Sequence, residues 1–73
     1  MSVNYDKLRV IMARYRITGE MLRKETGITT TEAAKINKDI FLTLPSAVKI
    51  TRYISKVTEK RFRIEDIMDF KDD

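Results

Sequence analysis

Apolar residues along this chain recur at spacings of three and four, and strict alternation is weak, so the pattern is helical almost throughout. Leu8, Ile11, Met12 and Tyr15 form one stripe on a first helix predicted over residues 5–15, with Asn4 as its candidate N-cap and Arg9, Arg14 and Arg16 off the stripe. A second helix is predicted over 19–26. Thr18 caps it, Ile17 and Leu22 form a hydrophobic staple across its start, and Gly27 ends it in the left-handed conformation. Thr29 restarts the chain at once. With Glu32 three residues on, it reads as a capping box, in which the threonine hydroxyl meets the third amide and the glutamate reaches back to the cap amide. This third helix is predicted over 30–38, with Ala33, Ile36 and Ile40 inward.

"DIFLTL" is a connection whose apolar residues plug the core. Thr43 caps a fourth helix with Leu44 and Pro45 in its first turn, where proline's missing N–H costs nothing. Ala47, Val48, Ile50, Thr51, Ile54 and Val57 mark its buried side. "TEKRFR" breaks it, with Phe62 folding back. Ile64, Ile67, Met68 and Phe70 outline a short fifth helix, with Glu65 and Asp66 at its positive end. The expected fold is all-α: a compact five-helix bundle, one domain over residues 1–73, without repeat or linker.

Composition narrows the chemistry. The 73 residues include no cysteine and no histidine, which excludes disulfides and the usual zinc-ligand sets. No metal or organic cofactor is expected. Catalysis is not expected either: Ser46 and Ser55 have no evident base, and Asp66, Asp69, Asp72 and Asp73 form a solvated tail beside Lys71. No segment approaches the ~20 apolar residues of a membrane span, and the first ten residues lack a signal-peptide layout. A cytoplasmic location is the resulting expectation. The net charge of +4 is uneven: residues 49–63 hold Lys49, Arg52, Lys56, Lys60, Arg61 and Arg63 against Glu59 alone. A basic surface of this kind suits a polyanion, or simply solvates the helices.

The two short helices joined by Gly27-Ile28-Thr29 have the form of a helix-turn-helix, whose second helix enters the DNA major groove while the first lies across the backbone. On the third helix, Thr31, Ala34, Lys35 and Lys38 share one outward face, with Thr30 at its leading edge. Threonine can bond a base edge and touch a thymine methyl, and lysine can reach guanine acceptors. The competing account is capping threonines beside solvated lysines.

"LRVIM", "ITGEMLRKETGIT", "AAKIN", "TLPSAVKITRYI" and "IEDIMDF" together make the chain resemble the lambda-repressor-like, Cro/cI-type helix-turn-helix family over residues 5–70. The resemblance implies a sequence-specific regulator that binds double-stranded DNA as a homodimer. A small repressor of a phage, plasmid or other mobile element fits it. It places base contacts on Thr30, Thr31 and Lys35. Phosphate contacts are expected from Arg16, from the Gly19 and Glu20 amides, and from Lys38 and Thr43 flanking the third helix. The chain departs from the family at Gly19, where glutamine is common, at Arg23, where a small alanine is usual, and at Ala33, where a larger aliphatic is usual. The Arg23 stem is expected to lie over the space left by Ala33.

Near the C-terminus, Met68 and Phe70, with Tyr53 and Phe62, are candidates for a two-fold contact between copies, or for a cap on the chain's own core. The alternative function is a protein-interaction module on the same fold: an antitoxin, an anti-repressor or a phage inhibitor of a host protein. Gly19, Arg23, Ala33 and the lack of arginine, asparagine or glutamine at positions 30, 31 and 34 favour it.

Overall fold

The computed structural model describes residues 1–72; Asp73, counted above in the acidic tail, lies outside the described residues. The chain runs through a strand β1 (Ser2–Asn4), helices α1 (Asp6–Arg14), α2 (Gly19–Thr26), α3 (Thr30–Lys38) and α4 (Leu44–Thr58), a single 3₁₀ turn (Ile64–Asp66) and a strand β2 (Asp69–Lys71). The described residues measure 33 × 24 × 20 Å along their principal axes. Among them, no helix is long and apolar enough to cross a membrane.

The helix starts follow from local chemistry. Thr18, Thr29 and Thr43 each sit in extended backbone and accept a hydrogen bond from the third amide of the helix that follows. At α1 the cap position is Tyr5, which makes no side-chain cap bond; Asn4 sits one residue earlier and accepts from the Asp6 N–H at 2.8 Å. All three helix ends after α1, and the turn just past it, use left-handed backbone, but only one employs glycine: Gly27 (φ 76°), against Arg16 (φ 55°), Asp39 (φ 52°) and Glu59 (φ 57°). Behind Arg16, the Ile17 N–H reaches back to the Met12 carbonyl at 2.8 Å and closes α1. Glu59 is exposed, and no side-chain bond offsets its conformation. Glu59→Gly is therefore expected to raise stability by about 0.5–1 kcal/mol, read as an upward shift of the urea midpoint.

The bundle core is built on Tyr5, Leu8, Leu22, Ile50, Ile54 and Ile67, all fully buried. Ile11, Met12 and Tyr15 pack against it from α1, and Ala33, Tyr53, Phe62 and Ile64 close it from the sides. The inward assignments on α4 hold for Ala47, Ile50, Thr51 and Ile54, whereas Val57 is 42% exposed and Ser46 and Thr58 are buried instead. Ile40 is exposed as well, because Asp39 ends α3 in left-handed backbone and turns the next side chain off the helix stripe. Of the apolar residues in "DIFLTL", only Leu42 plugs the core; Phe41 and Leu44 stay exposed.

The expected all-α, five-helix bundle is corrected at its end. Where a fifth helix was expected, the chain makes one 3₁₀ turn and then extends antiparallel to β1, pairing Ser2 with Lys71, Val3 with Phe70 and Asn4 with Asp69. The architecture is four helices and a two-stranded ribbon among the described residues. Asp66 accepts from the Arg63 N–H at 2.8 Å, a bond that opens the turn as it would open a helix, but from Asp69 the backbone pairs with β1 instead of continuing the helix. Ile67 and Met68 remain in the core, carried there by the turn rather than by a helical face.

Candidate nucleic-acid interface

Helix α3 is fixed to the rest of the chain at both ends by buried or half-buried polar contacts, and these set which of its side chains face outward. At its first turn the Thr29 hydroxyl accepts from the Glu32 amide at 3.1 Å, as a capping box requires. The other half of the box does not form. The Glu32 carboxylate, 8% exposed, turns toward the start of α4, where Oε1 accepts from the Thr43 N–H and from the Ser46 hydroxyl, both at 3.1 Å. The carboxylate thus occupies the positive end of the α4 dipole, an intramolecular stand-in for a bound anion. Lys35 Nζ stands 2.8 Å from the other oxygen, Oε2, which is buried and has no further partner. Hydrogen bonding to Lys35, then to Thr43 and Ser46, outweighs desolvation and holds the Glu32 pKa down at about 2.

At the far end, α1 supplies the clamp. Arg9 donates to the Ile36 carbonyl at 2.6 Å, one of the unpaired carbonyls of the last turn of α3, and also pairs with Asp39 at 3.2 Å and with Asp6. Bonding to Arg9 holds the Asp6 carboxyl below its ordinary range. The Tyr5 N–H donates to the Asp39 carboxylate at 3.0 Å. The Tyr5 hydroxyl donates to the Ile40 carbonyl at 2.8 Å and accepts from the Leu42 N–H at 2.9 Å, tying down the whole segment after α3. Asp39 is therefore left-handed for a reason that its neighbours show: the turn brings its carboxylate onto Arg9 and the Tyr5 amide. Nothing in the apolar pattern marks Tyr5 or Arg9 as a positioning residue. The only available signal was an arginine off the apolar stripe of α1, which says nothing about a partner twenty-seven residues away.

With α3 so held, Thr31 and Lys38 are exposed, and neither side chain is engaged elsewhere among the described residues. Thr30 is exposed, and its hydroxyl accepts from Arg23 at 3.3 Å. Ala34 is half-buried. Lys35, expected to be a free base-contacting residue, is half-buried and drawn back over its own helix to Glu32, because that carboxylate lies one turn before it. Asn37, which the sequence reading passed over, is exposed beside Lys38. Arg16, Gly19 and Glu20 are exposed at the loop and first turn leading into α2, where phosphate contact was expected. Thr43 differs: its N–H goes to Glu32, and its hydroxyl both accepts from the Ser46 N–H and bonds the Ser46 hydroxyl, so its polar groups are occupied within the chain.

The space next to Ala33 is a cleft of about 300 Å³ between α1, the start of α2 and α3, lined by Met12, Ile17, Leu22, Ala33, Ile36 and Asn37 among others. The Arg23 stem, expected over the space left by Ala33, does not line it; the guanidinium donates to the Thr30 hydroxyl instead.

The expected dimer residues separate. Met68 is 4% exposed and belongs to the chain's own core, which leaves it no face for a second copy; Phe62 packs half-buried against that core. Tyr53 is half-buried on α4. Phe70 alone among them stands out, stacked on Phe41 with ring centroids 5.9 Å apart.

No protein-family model matches the chain, and no curated protein is significantly similar to it in sequence. The fold is similar to that in the crystal structure of the transcriptional regulator VanUg (Form II), with a TM-score of 0.75 over 93% of this chain and 83% of that one, at 24% sequence identity. At that identity the likeness is one of fold, and it extends over the helix-turn-helix and the helices that hold it.

Proposed function

We propose that this chain is a sequence-specific DNA-binding regulator of transcription of the Cro/cI-like type. Helix α3 enters the major groove, α2 lies on the backbone, and a homodimer covers two half-sites roughly 34 Å apart. Repression follows by occlusion of the bound site. The observation that carries this reading is the clamping of α3 at both ends, which leaves Thr30, Thr31 and Lys38 outward on a helix that cannot easily reorient. The fold shared with a protein described as a transcriptional regulator supports it.

Selection of bound sites from a random DNA library, followed by gel shifts at two salt concentrations, tests the reading. A two-fold symmetric site is expected, with affinity falling steeply as salt rises. Thr31→Ala is expected to weaken binding to the selected site by about 1 kcal/mol and leave bulk-DNA binding unchanged. Lys38→Ala is expected to weaken both and to flatten the salt slope by about one phosphate's worth. Absence of any shift at low salt with folded protein rules the proposal out. Lys35→Ala is a poorer probe, since it strips Glu32 Oε2 of its partner and lowers stability along with any contact to DNA.

A second reading, a protein-interaction module on the same fold, is favoured by one observation: the residue expected to read guanine, Lys35, is tied to Glu32.

A further inference from the structure

The solvent side of α4, opposite the buried Ala47, Ile50, Thr51 and Ile54, is a trough. A cleft of about 590 Å³ lies between α4 and the end of α2, with Lys49, Arg52, Tyr53, Lys56 and Val57 on one wall and Glu25 and Thr26 on the other. A second cleft, of about 440 Å³, lies on the other side of Arg52 and Lys56 and is lined by Ser55, Lys60, Arg61 and Phe62. Five cations therefore border the two clefts, with Arg52 and Lys56 on the ridge between them. Among the described residues, none of the five has an ion-pair or hydrogen-bond partner. Arg52 and Lys56 are one turn apart on the same helix, where like charges repel and weaken it. The floor of the trough is not polar: Tyr53 is half-exposed on it, and Val57 is 42% exposed.

We propose that this trough docks an acidic, amphipathic segment of a partner protein. Its carboxylates meet Lys49, Arg52 and Lys56 while its apolar side covers Tyr53 and Val57. Charge complementarity sets the sign of the partner, and the apolar floor sets its class. A duplex phosphate backbone would neutralise the cations but leave Tyr53 and Val57 uncovered, and it would meet the Glu25 carboxylate on the facing wall. A second copy of this chain is a poor occupant, because most of its described tail acids are engaged, Asp66 on the Arg63 amide, Asp69 on Lys7 at 3.0 Å and Glu65 near Arg63, which leaves Asp72 to meet the cations. The surface lies off α3, so the proposal stands whether or not the chain binds DNA.

The test uses the full chain, labelled with ¹⁵N, and a fluorescein-tagged peptide of about four helical turns with Glu and Asp on one face and Leu and Phe on the other. A scrambled peptide of equal composition and a duplex DNA serve as comparisons. The amphipathic peptide is expected to bind and to shift the amides of Glu25, Thr26 and Lys49–Val57. The double variant Arg52→Glu, Lys56→Glu is expected to weaken it by roughly tenfold or more with the melting temperature unchanged. Val57→Asp is expected to weaken it comparably, and the scrambled peptide to bind several-fold less tightly. Shifts gathering on α3, equal binding of the scrambled peptide, or an affinity indifferent to the double variant would each overturn the proposal. A double variant that loses duplex DNA while keeping the peptide would mark the trough as a phosphate surface instead.

Discussion

Glu32→Ala is expected to destabilise the chain by about 2–3 kcal/mol, because hydrogen bonds to a charged acceptor are worth more than neutral ones, two donors lose theirs together and the Lys35 ammonium loses its ion-pair partner. The Thr43 amide, the Ser46 hydroxyl and the Lys35 ammonium all converge on that carboxylate. Urea unfolding followed by circular dichroism measures the loss. The same group makes stability depend on acid. Its pKa is about 2 when folded against an ordinary 4.5, so the folded state favours the ionised form. The contribution is complete above the ordinary value and drains away as pH falls from about 4.5 toward 2. At about 1.4 kcal/mol per unit of displacement, it is bounded at roughly 3.5 kcal/mol, and less in high salt because the Lys35 ammonium is partly solvated. Glu32→Gln keeps the side-chain shape and removes the titration. Its stability is expected to be lower at neutral pH and nearly flat across the window in which the parent chain weakens; what slope remains belongs to groups such as Asp6. A parent chain equally stable at both ends of that window would contradict the lock.

The contrast between Glu32 and its neighbours explains what was legible in the sequence. The caps at Thr18, Thr29 and Thr43 are decided within three residues, and α2 and α3 begin and end where the pattern places them. Glu32 bonds groups eleven and fourteen residues away, so its position three after Thr29 suggested a local box that tertiary structure overrode. Lys35 was then read as outward because its own helix face pointed there, although the carboxylate holding it was visible one turn earlier. The C-terminal error has the same origin. Ile64, Ile67 and Met68 keep a helical spacing, but β2 is only three residues long and its partner lies at the other end of the chain. A pairing that distant leaves no periodic mark on so short a segment. At the candidate site, the outward Thr31 and Lys38 could be read from the helix phase alone. The clamps of Arg9 and Tyr5 could not, since their partners, the Ile36 and Ile40 carbonyls, the Leu42 amide and the Asp39 carboxylate, lie some thirty residues on and leave no local mark.

Tyr5→Phe tests the other end of α3. The ring is fully buried and phenylalanine fills the same volume, so packing is preserved and the hydroxyl alone is removed. Two backbone groups lose their partner at once: the Ile40 carbonyl and the buried Leu42 N–H. The expected cost is about 2 kcal/mol, the desolvation of an unpaired buried amide. Because the loss is local, the Leu42 amide is expected to exchange with solvent roughly thirtyfold faster, as that energy implies, while the core amides of α4 change only with global stability. Helical circular dichroism is expected to stay, since Arg9 and Asp39 still hold the last turn of α3. The two locks meet in the segment after α3: Tyr5 holds the Leu42 N–H, and Glu32 holds the very next amide, that of Thr43. Groups this close couple, so the double variant Glu32→Ala, Tyr5→Phe is expected to depart from the sum of the single losses by about 0.5 kcal/mol or more. Strict additivity would mean that each lock holds its own amide without help from the other.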